Sequence, residues 1–356
     1  MKEEVKNYYG VELQKSEDLK TNACCTLAPP PLYIRNALAN IHDDVQAKYY
    51  GCGLTIPSSL EGLTVLDLGS GSGRDCYILS QLVGEKGKVI GVDMTDEQLA
   101  VANKFLNYHQ QKFNYQKSNV EFIKGDIENL KDCLPKDIKF DLVISNCVLN
   151  LVENKKKVLS DIYSLLKEGG EFYFSDVYAD RRVPKNLKSD PLLWSECLSG
   201  ALYWNDFLTF AKSSGFNDPR VVESKEITVN NDDIKQKLGS IKFFSVTYRL
   251  FKNVKLEGDC EEYGQAVCYK GGVKEMPEVF MLDGHHFFEK GRMYSVCGNT
   301  YLMLAESRLR EYFNFFGNFE THYGIFEGCG TNMPFNTSVN SSVNSSGATT
   351  SSLSCC

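Results

Sequence analysis

The chain has 356 residues, enough for two domains or for one large domain with additions. Its formal net charge of -7 and its pI near 5.4 argue against nucleic acid as the main partner, because phosphate binding requires a basic surface. No run reaches the ~18 apolar residues of a membrane helix, and the N-terminus lacks the apolar core of a signal peptide, so we expect a cytoplasmic protein without a membrane partner.

Residues 1–60 form an N-terminal extension that is rich in tyrosine and cysteine and is interrupted by prolines at 29–31. The whole chain has 13 cysteines, and their irregular spacing is typical neither of a disulfide scaffold nor of paired CxxC zinc sites. In a reducing compartment most cysteines remain thiols, available for soft ligands or for redox chemistry. The role of these thiols is therefore part of the function to be explained.

Residues 61–178 alternate between apolar runs and helical patterns. Thr95 and Gln98 suggest a capping box before a helix over 96–107, and a second helix over 155–167 is expected to stop at a glycine pair. Strands that alternate with helices predict an α/β fold with a doubly wound parallel sheet. Ligands of such a fold bind beyond the carboxyl ends of the strands. The predicted buried strands are 64–68, 88–93, 120–125, 140–145 and 171–176.

A glycine-rich loop follows the first predicted strand. The sequence VLDLGSGSG places Gly69, Gly71 and Gly73 at alternate positions, where the absence of a side chain allows a sharp turn and a close approach to a ligand. The helix that begins after the loop presents free amide groups to the same ligand. Asp93 ends the second strand, where a carboxylate can accept hydrogen bonds from both hydroxyls of a ribose. These features predict a site for a nucleoside cofactor.

The GxGxG spacing resembles the S-adenosylmethionine (SAM) site of class I methyltransferases, with their Rossmann-like sheet, and differs from the GxGxxG loop of dinucleotide enzymes. A nicotinamide cofactor, or none, is the alternative. The resemblance implies that the third strand end holds the adenine and that the fourth lies next to the reactive methyl group. The residues assigned to SAM on this basis are Asp67, Gly69, Gly71, Gly73, Asp93, Met94, Ile127, Glu128 and Asn146.

The sequence disfavours a nucleic-acid base as the methyl acceptor. Methylases of base amino groups carry an Asn/Asp-Pro-Pro-aromatic motif after the fourth strand, whereas residues 145–148 read SNCV. No histidine lies beside the predicted site in the sequence to serve as a general base. An acceptor with a soft lone pair, which attacks the sulfonium methyl without losing a proton, fits both features.

Longer motifs resemble one family, the arsenite methyltransferases, which transfer methyl groups from SAM to trivalent arsenic. The resemblance runs from about residue 8 to 275 and implies detoxification of arsenic by methylation of arsenite and methylarsenite. Two alternatives are a SAM-dependent methyltransferase of another small acceptor and a non-catalytic arsenic-binding protein. The motifs include YYGCG (49–53), ISNCVLNL (144–151), GGEFYFSDVYADRR (169–182) and ECLSGALYW (196–204).

The resemblance assigns the arsenic site to cysteines. Cys52 in YYGCG and Cys197 in ECLSGALYW are expected to bind arsenic and to be catalytic, because trivalent arsenic is soft and prefers thiolates to oxygen donors. The third cysteine of the family is absent from its expected place, which Val246 or Ile241 occupies. With two sulfur ligands, methylarsenite is expected to be preferred to arsenite.

Five further cysteines receive other roles. Cys260 or Cys268 is expected to complete the arsenic site if the chain folds back. Cys147 is expected to pack as a small buried side chain. Methylation oxidises arsenic, so the resemblance implies a thiol reductant, either glutathione or thioredoxin, as co-substrate. Cys24 and Cys25 are candidates for exchange with that reductant.

Composition divides the chain into five parts. After the extension 1–60 come a SAM-binding core over 61–178 and an arsenic-binding segment over 179–250. A small α+β C-terminal domain is predicted over 251–330, and the Ser/Asn-rich tail 331–356 is expected to be disordered. Trivalent arsenicals and the glutathione or thioredoxin system are the expected partners, and the chain is expected to be a monomer.

Overall fold

A computed structural model describes residues 2–13 and 29–329 of the chain. Cys24, Cys25 and the tail 331–356, for which a redox role and disorder are predicted, lie outside the described residues. No helix within the two described ranges is both long enough and apolar enough to cross a membrane.

An eight-stranded sheet forms the centre of the fold. Its strands are β1 (Thr64–Leu68), β2 (Lys88–Asp93), β3 (Val120–Lys124), β4 (Phe140–Asn146), β5 (Leu166–Ala179), β6 (Leu202–Tyr203), β7 (Arg220–Ile227) and β8 (Phe243–Phe251). The order is β3-β2-β1-β4-β5-β8-β7, and the short β6 pairs with the end of β5. β1 to β5 run parallel, whereas β8 runs antiparallel to β5 and β7. The predicted doubly wound α/β fold is therefore confirmed.

Helices cover both faces of the sheet. Leu66 and Leu68 of β1 pack in a core with the helix over residues 155–165, and Val65 packs in a second core with the helix over residues 74–83. Successive side chains of a strand point to opposite faces, so a parallel sheet with two covered faces needs apolar residues throughout its strands. This requirement explains why the strand segments of the sequence are mostly apolar.

The helices of the described chain connect these strands and form the N-terminal cover. They are Lys2–Asn7, Leu32–Leu38, Asp43–Gln46, Arg74–Val83, Asp96–Lys104, Leu106–Lys112, Leu130–Cys133, Lys155–Leu165, Lys185–Lys188, Pro191–Ser195, Trp204–Ser213, Asp232–Leu238 and Gly298–Ala305. A π-helical turn at Tyr8–Glu12 extends the first helix, and 3-10 turns lie at Ile127–Asn129, Leu149–Leu151 and Arg310–Tyr312.

Two local predictions for the segment between β2 and β3 are wrong. The helix over 96–107 breaks at Phe105, whose buried ring stacks on His42 with 3.8 Å between the ring centroids. The Thr95 side chain makes no cap; the Thr95 amide donates to the Asp93 carboxylate over 2.8 Å. Gln98 donates to a backbone carbonyl of the N-terminal helix. Tertiary contacts thus replace the local capping pattern.

The C-terminal part is the predicted small α+β unit. β10 (Gln265–Tyr269) lies between β13 (Met293–Val296) and β14 (Phe313–Phe316), and the helix Gly298–Ala305 follows β13. An aromatic core that includes Phe280 and Phe288 fills it. The remaining strands pair in two short ribbons, β11 (Val279–Met281) with β12 (Phe287–Glu289) and β9 (Glu261–Glu262) with β15 (Gly324–Ile325).

A buried ion cluster joins the central sheet to the C-terminal part. The carboxylate of Glu171 on β5 is fully buried and accepts from Arg249 of β8 over 2.6 Å and from Arg308 over 2.5 Å. Burial alone would raise the pKa of Glu171, but the two guanidinium groups hold it below its ordinary value. The arginines therefore make an ionised carboxylate tolerable inside the protein.

Candidate functional site

A deep cleft opens where the carboxyl ends of β1, β2 and β4 meet, and it encloses about 1030 Å³ of open space. The residues assigned to SAM lie together at this end of the sheet, as parallel strands require. Those that line the cleft are Asp67, Gly69, Gly71, Asp93, Met94, Ile127, Glu128 and Asn146. Gly73 lies behind the wall and begins the helix Arg74–Val83.

The glycine loop has the backbone shape that its sequence predicts. Gly69 and Gly71 have φ angles of 72° and 52°, which side chains disfavour. The Gly71 amide donates to the carboxylate of Asp93 over 2.8 Å, which ties the loop to the end of β2. A Cβ at Gly69 would collide with the side chain of Val148, and one at Gly73 would collide with the ring of Phe122. Glycine is thus required here by conformation and by close packing.

Three buried carboxylates, those of Asp67, Asp75 and Asp93, stand along the wall of the cleft. Burial raises the pKa of Asp67 to about 8, and the nearby charge of Asp75 adds to this effect. Burial also raises the pKa of Asp93, against the hydrogen bonds that it accepts from Thr95 and Gly71. A wall of this kind favours a cationic ligand, because a positive charge would relieve the cost of ionising these groups.

The N-terminal helix covers the cleft. Lys2 forms ion pairs with Asp126 at 2.7 Å and with Glu128 at 2.5 Å, and Tyr9 accepts from Gln98 through its carbonyl oxygen. Side chains of this helix line the cleft itself. The cover is therefore fastened by ion pairs to Asp126 and Glu128 on the opposite wall.

Cys52, Cys147 and Cys197 are buried together in one cluster next to this cleft. Cys52 and Cys147 form a disulfide, with 5.8 Å between their Cα atoms. The Cys197 thiol donates to the carbonyl oxygen of Cys147 over 3.3 Å. The sulfur atoms of Cys147 and Cys197 and a carboxylate oxygen of Asp176 lie within 4.8 Å of one another. Cys147 also lines the cleft, so the sulfur cluster and the cleft share a wall.

The backbone around these cysteines is strained and tightly held. Cys147 and Cys197 have φ angles of 57° and 62°, and they are two of five non-glycine residues with positive φ in the described chain. The side-chain oxygen of Asn146 accepts from the amide of Cys52 over 2.9 Å, and its nitrogen donates to the carbonyl of Gly53 over 2.8 Å. Asn146 therefore fixes the YYGCG segment against the end of β4.

The expectation that Cys147 only packs in the core is wrong, because the structure pairs it with Cys52. Its position in ISNCVLNL, directly after the fourth strand, was the signal that could have marked it. Cys197 lies in the same buried cluster as Cys52 and Cys147, whereas Cys260 and Cys268 do not. Cys260 packs with two other cysteines of the C-terminal part, and Cys268 lies on β10.

The positions expected for the missing third cysteine carry no sulfur because they serve the core. Val246 lies on β8, where it is buried and pairs with Asp176 of β5. Ile241 packs against the cluster that contains the three site cysteines. A third cysteine beside Cys52 and Cys197 is Cys147, which directly follows β4 and lines the cleft.

The doubly wound sheet, the glycine loop and the cleft at the strand ends define a class I SAM-dependent methyltransferase. In agreement, residues 59–215 match a family described as methyltransferase domain, and residues 262–356 match the arsenite methyltransferase C-terminal domain.

Whole-chain comparisons give a narrower assignment. The chain is 51% identical to an arsenite methyltransferase of Aquipseudomonas alcaligenes, over 100% of both chains. It is 46% identical to the arsenite methyltransferase of Homo sapiens, over 88% of this chain and 83% of the relative. The X-ray structure of an arsenic(III) S-adenosylmethionine methyltransferase from Chlamydomonas reinhardtii is similar at 48% identity with a TM-score of 0.81, covering 84% of this chain and 100% of that chain. The chain belongs to the arsenite methyltransferase family.

Proposed function

We propose that this enzyme transfers methyl groups from SAM to trivalent arsenic that is bound through cysteine sulfur, with arsenite and methylarsenite as substrates. The observation that carries the proposal is the convergence of Cys52, Cys147 and Cys197 in one buried cluster, of which Cys147 also faces the cofactor cleft. An acceptor held by these sulfurs is adjacent to the place where the methyl donor binds.

The cleft fits SAM by charge and by backbone shape. SAM supplies a methyl group on a positively charged sulfur, together with a positively charged amino group. The buried carboxylates of Asp67 and Asp75 balance that charge, and Gly71 allows close approach of the ligand to the loop. Asp93 is assigned to the ribose, and Ile127 and Glu128 are assigned to the adenine.

Thiolate ligands prepare arsenic for attack on the methyl group. Trivalent arsenic with sulfur ligands is pyramidal and keeps a lone pair, which needs no deprotonation before it reacts. Arsenic held at a fixed place beside the donor makes the displacement effectively unimolecular, which is worth roughly 7–11 kcal/mol of the barrier. Asp176, whose pKa burial raises to about 7, is placed to accept protons that the thiols lose when arsenic binds.

The Cys52–Cys147 disulfide supports a redox role for this pair. Methylation formally oxidises arsenic from the trivalent to the pentavalent state, so two electrons are needed to restore the lone pair. Two thiols supply two electrons when they form a disulfide, and Cys52 and Cys147 are the described cysteines that are paired in this way. A thiol reductant such as glutathione or thioredoxin would then reopen the disulfide, with Cys24 and Cys25 as candidates for the exchange.

Three converging sulfurs also change the expected substrate preference. Two thiols satisfy the open valences of methylarsenite, whereas arsenite can use three. With Cys147 at the site, both substrates can be held through all their open valences when the disulfide is reduced. We therefore expect no strong preference for methylarsenite.

The proposal is tested by incubating the full chain with SAM, arsenite and glutathione and identifying arsenic species by mass. We expect methylated arsenic from the unaltered chain and a loss of methylation in Cys52→Ser and Cys197→Ser. Cys268→Ser, which alters a half-buried cysteine of β10, is the matched control and should retain activity.

The two alternative functions give different results in the same experiment. A methyltransferase of another acceptor would bind SAM but leave arsenite unmethylated, with or without the serine substitutions. An arsenic-binding protein without catalysis would retain arsenite and consume no SAM. Either result would overturn the proposal.

A further inference from the structure

A second group of three cysteines lies in the C-terminal part, apart from the site just described. The sulfur atoms of Cys260, Cys297 and Cys329 lie within 4.8 Å of one another, and all three residues are buried. They come from three separate segments: Cys260 directly precedes β9, Cys297 caps the helix Gly298–Ala305, and Cys329 follows β15. The fold therefore assembles three sulfurs that are far apart in the sequence.

We propose that Cys260, Cys297 and Cys329 form a second binding site for trivalent arsenic, one that holds the ion through three sulfurs and does not methylate it. The choice of arsenic among soft ions rests on the proposed function of the chain. The presence of a three-sulfur site does not rest on it.

The three ligand groups found among the described residues match the number that trivalent arsenic takes. Structural zinc sites are tetrahedral and take four protein ligands. Within the described residues, the cluster has three ligand groups and no histidine, aspartate or glutamate as a fourth. Trivalent arsenic takes three sulfurs in a pyramid and needs no fourth ligand.

The charge around the cluster also favours a neutral complex. The guanidinium of Arg220 lies 3.8 Å from the sulfur of Cys297, but it already pairs with Asp218 at 2.6 Å and with Asp283 at 3.4 Å. A divalent ion with three thiolates would add a buried negative charge to this group. Arsenic with three thiolates has no net charge, so burying it carries no such cost.

The binding step needs no oxidant or reductant. Arsenous acid carries three hydroxyl groups, and each thiol forms one arsenic–sulfur bond as one arsenic–oxygen bond breaks. The three thiol protons leave with the three hydroxyls as three water molecules, and arsenic stays trivalent throughout.

A short ribbon gives arsenite a way in. β9 and β15 pair through two residues each, at Glu261–Ile325 and Glu262–Gly324. So short a pairing opens locally at small cost; Cys260 directly precedes one of its strands and Cys329 follows the other. Arsenic bound to all three sulfurs would then cross-link the ribbon to the helix Gly298–Ala305. We expect arsenite to raise the melting temperature of the chain.

The test uses the full chain with the other reactive cysteines removed, so that the first site and the terminal cysteine pairs cannot bind arsenic. This background keeps Cys260, Cys297 and Cys329 and cannot methylate. Arsenite alone is the probe, and the readouts are arsenic per chain, the sulfur neighbours of arsenic by X-ray absorption, and the melting temperature. The cysteines replaced by serine are Cys24, Cys25, Cys52, Cys147, Cys197, Cys355 and Cys356.

We expect one arsenic per chain with three sulfur neighbours and an arsenite-dependent rise in melting temperature. Cys297→Ser in this background should raise the Kd for arsenite by roughly 10²-fold. A further contact within one linked site strengthens binding by about 10²–10⁴-fold, and the prediction takes the lower value. Serine is a good N-cap residue, so this change preserves the start of the helix. Cys268→Ser is the matched control and should change neither value. SAM binding by each variant reports that the fold is intact.

Three outcomes would overturn the inference. One is a background chain that binds no arsenic although it binds SAM. Another is arsenic that Cys297→Ser and Cys260→Ser bind as tightly as the background chain does. The third is zinc that copurifies with the background chain and is lost in Cys297→Ser. None of these bears on methylation by the unaltered enzyme, so failure here is distinct from failure of the proposed function.

Discussion

We predict that Asp67 sets the pH dependence of SAM binding. Burial and the charge of Asp75 raise the pKa of Asp67 to about 8 in the free protein. A bound cationic ligand favours the ionised carboxylate and would lower this pKa. The free protein must therefore give up a proton to bind SAM at neutral pH, and binding should strengthen as the pH rises toward 8.

The size of the effect follows from that pKa. SAM binding lowers the pKa of Asp67 from about 8 to well below the pH range of the experiment. The Kd for SAM is then proportional to 1 + 10^(8 − pH). Between pH 6 and pH 7 the Kd should then fall about ninefold, a difference of about 1.3 kcal/mol in binding free energy. The amino group of SAM stays protonated over this interval, since α-amino groups titrate at about 7.7–8.0.

The assay is calorimetric titration of SAM into the reduced protein at pH 6.0, 6.5 and 7.0. Proton release is read from the dependence of the binding heat on the buffer. Asp67→Asn removes the titrating group and keeps its shape, so its Kd should be weaker at pH 7 and nearly flat over the interval. A Kd for the unaltered chain that does not change, or an equal slope in Asp67→Asn, would refute the reasoning.

The same carboxyl group affects the stability of the free protein in the opposite direction. Because its folded-state pKa lies above its unfolded value of 3.8, its contribution to stability is full below pH 3.8 and is lost as the pH rises through about 8. SAM should therefore stabilise the fold more strongly at pH 7 than at pH 6, which thermal unfolding with and without SAM measures.

Three substitutions test the supports of the site and the fold. Asn146→Ala should lower the rate of arsenite methylation by roughly 10²-fold, because small misplacements of reacting groups have effects of this size. The segment that carries Cys52 would lose its hydrogen bond to the end of β4. Near-normal turnover in a mass-based assay would count against this role of Asn146. Glu171→Gln should lower the free energy of unfolding in urea by about 3–5 kcal/mol, because the buried guanidinium of Arg249 and the partly buried one of Arg308 lose their counter-charge. In the unaltered chain this contribution is present above pH 4.5 and is lost as the pH falls through the depressed pKa of Glu171. Gly69→Ala should abolish measurable SAM binding, because a methyl group meets Val148 at a positive φ angle, and retained binding by calorimetry would contradict the close-packing argument.

Local sequence predicted the secondary structure correctly where the geometry of the sheet requires apolar residues. The runs that became β1, β2 and β4 are mostly apolar, since both faces of a parallel sheet are covered. Where tertiary contacts compete with a local signal, the local signal failed. Thr95 has the pattern of a helix cap, yet its amide is taken by Asp93, and the following helix breaks where Phe105 stacks on His42.

The sequence by itself determined the cofactor loop of this protein. Gly69 and Gly71 adopt conformations that other residues disfavour, and Asp93 ends the neighbouring strand, so their positions along the chain already imply their positions in space. The tertiary structure alone decided that the sulfur of Cys147 meets that of Cys52. Cys52 and Cys147 are separated by 95 positions, and they become partners because a loop and a strand end are brought together by the folding of the whole sheet. Contacts across such distances depend on the packing of every element between them, which no local pattern encodes.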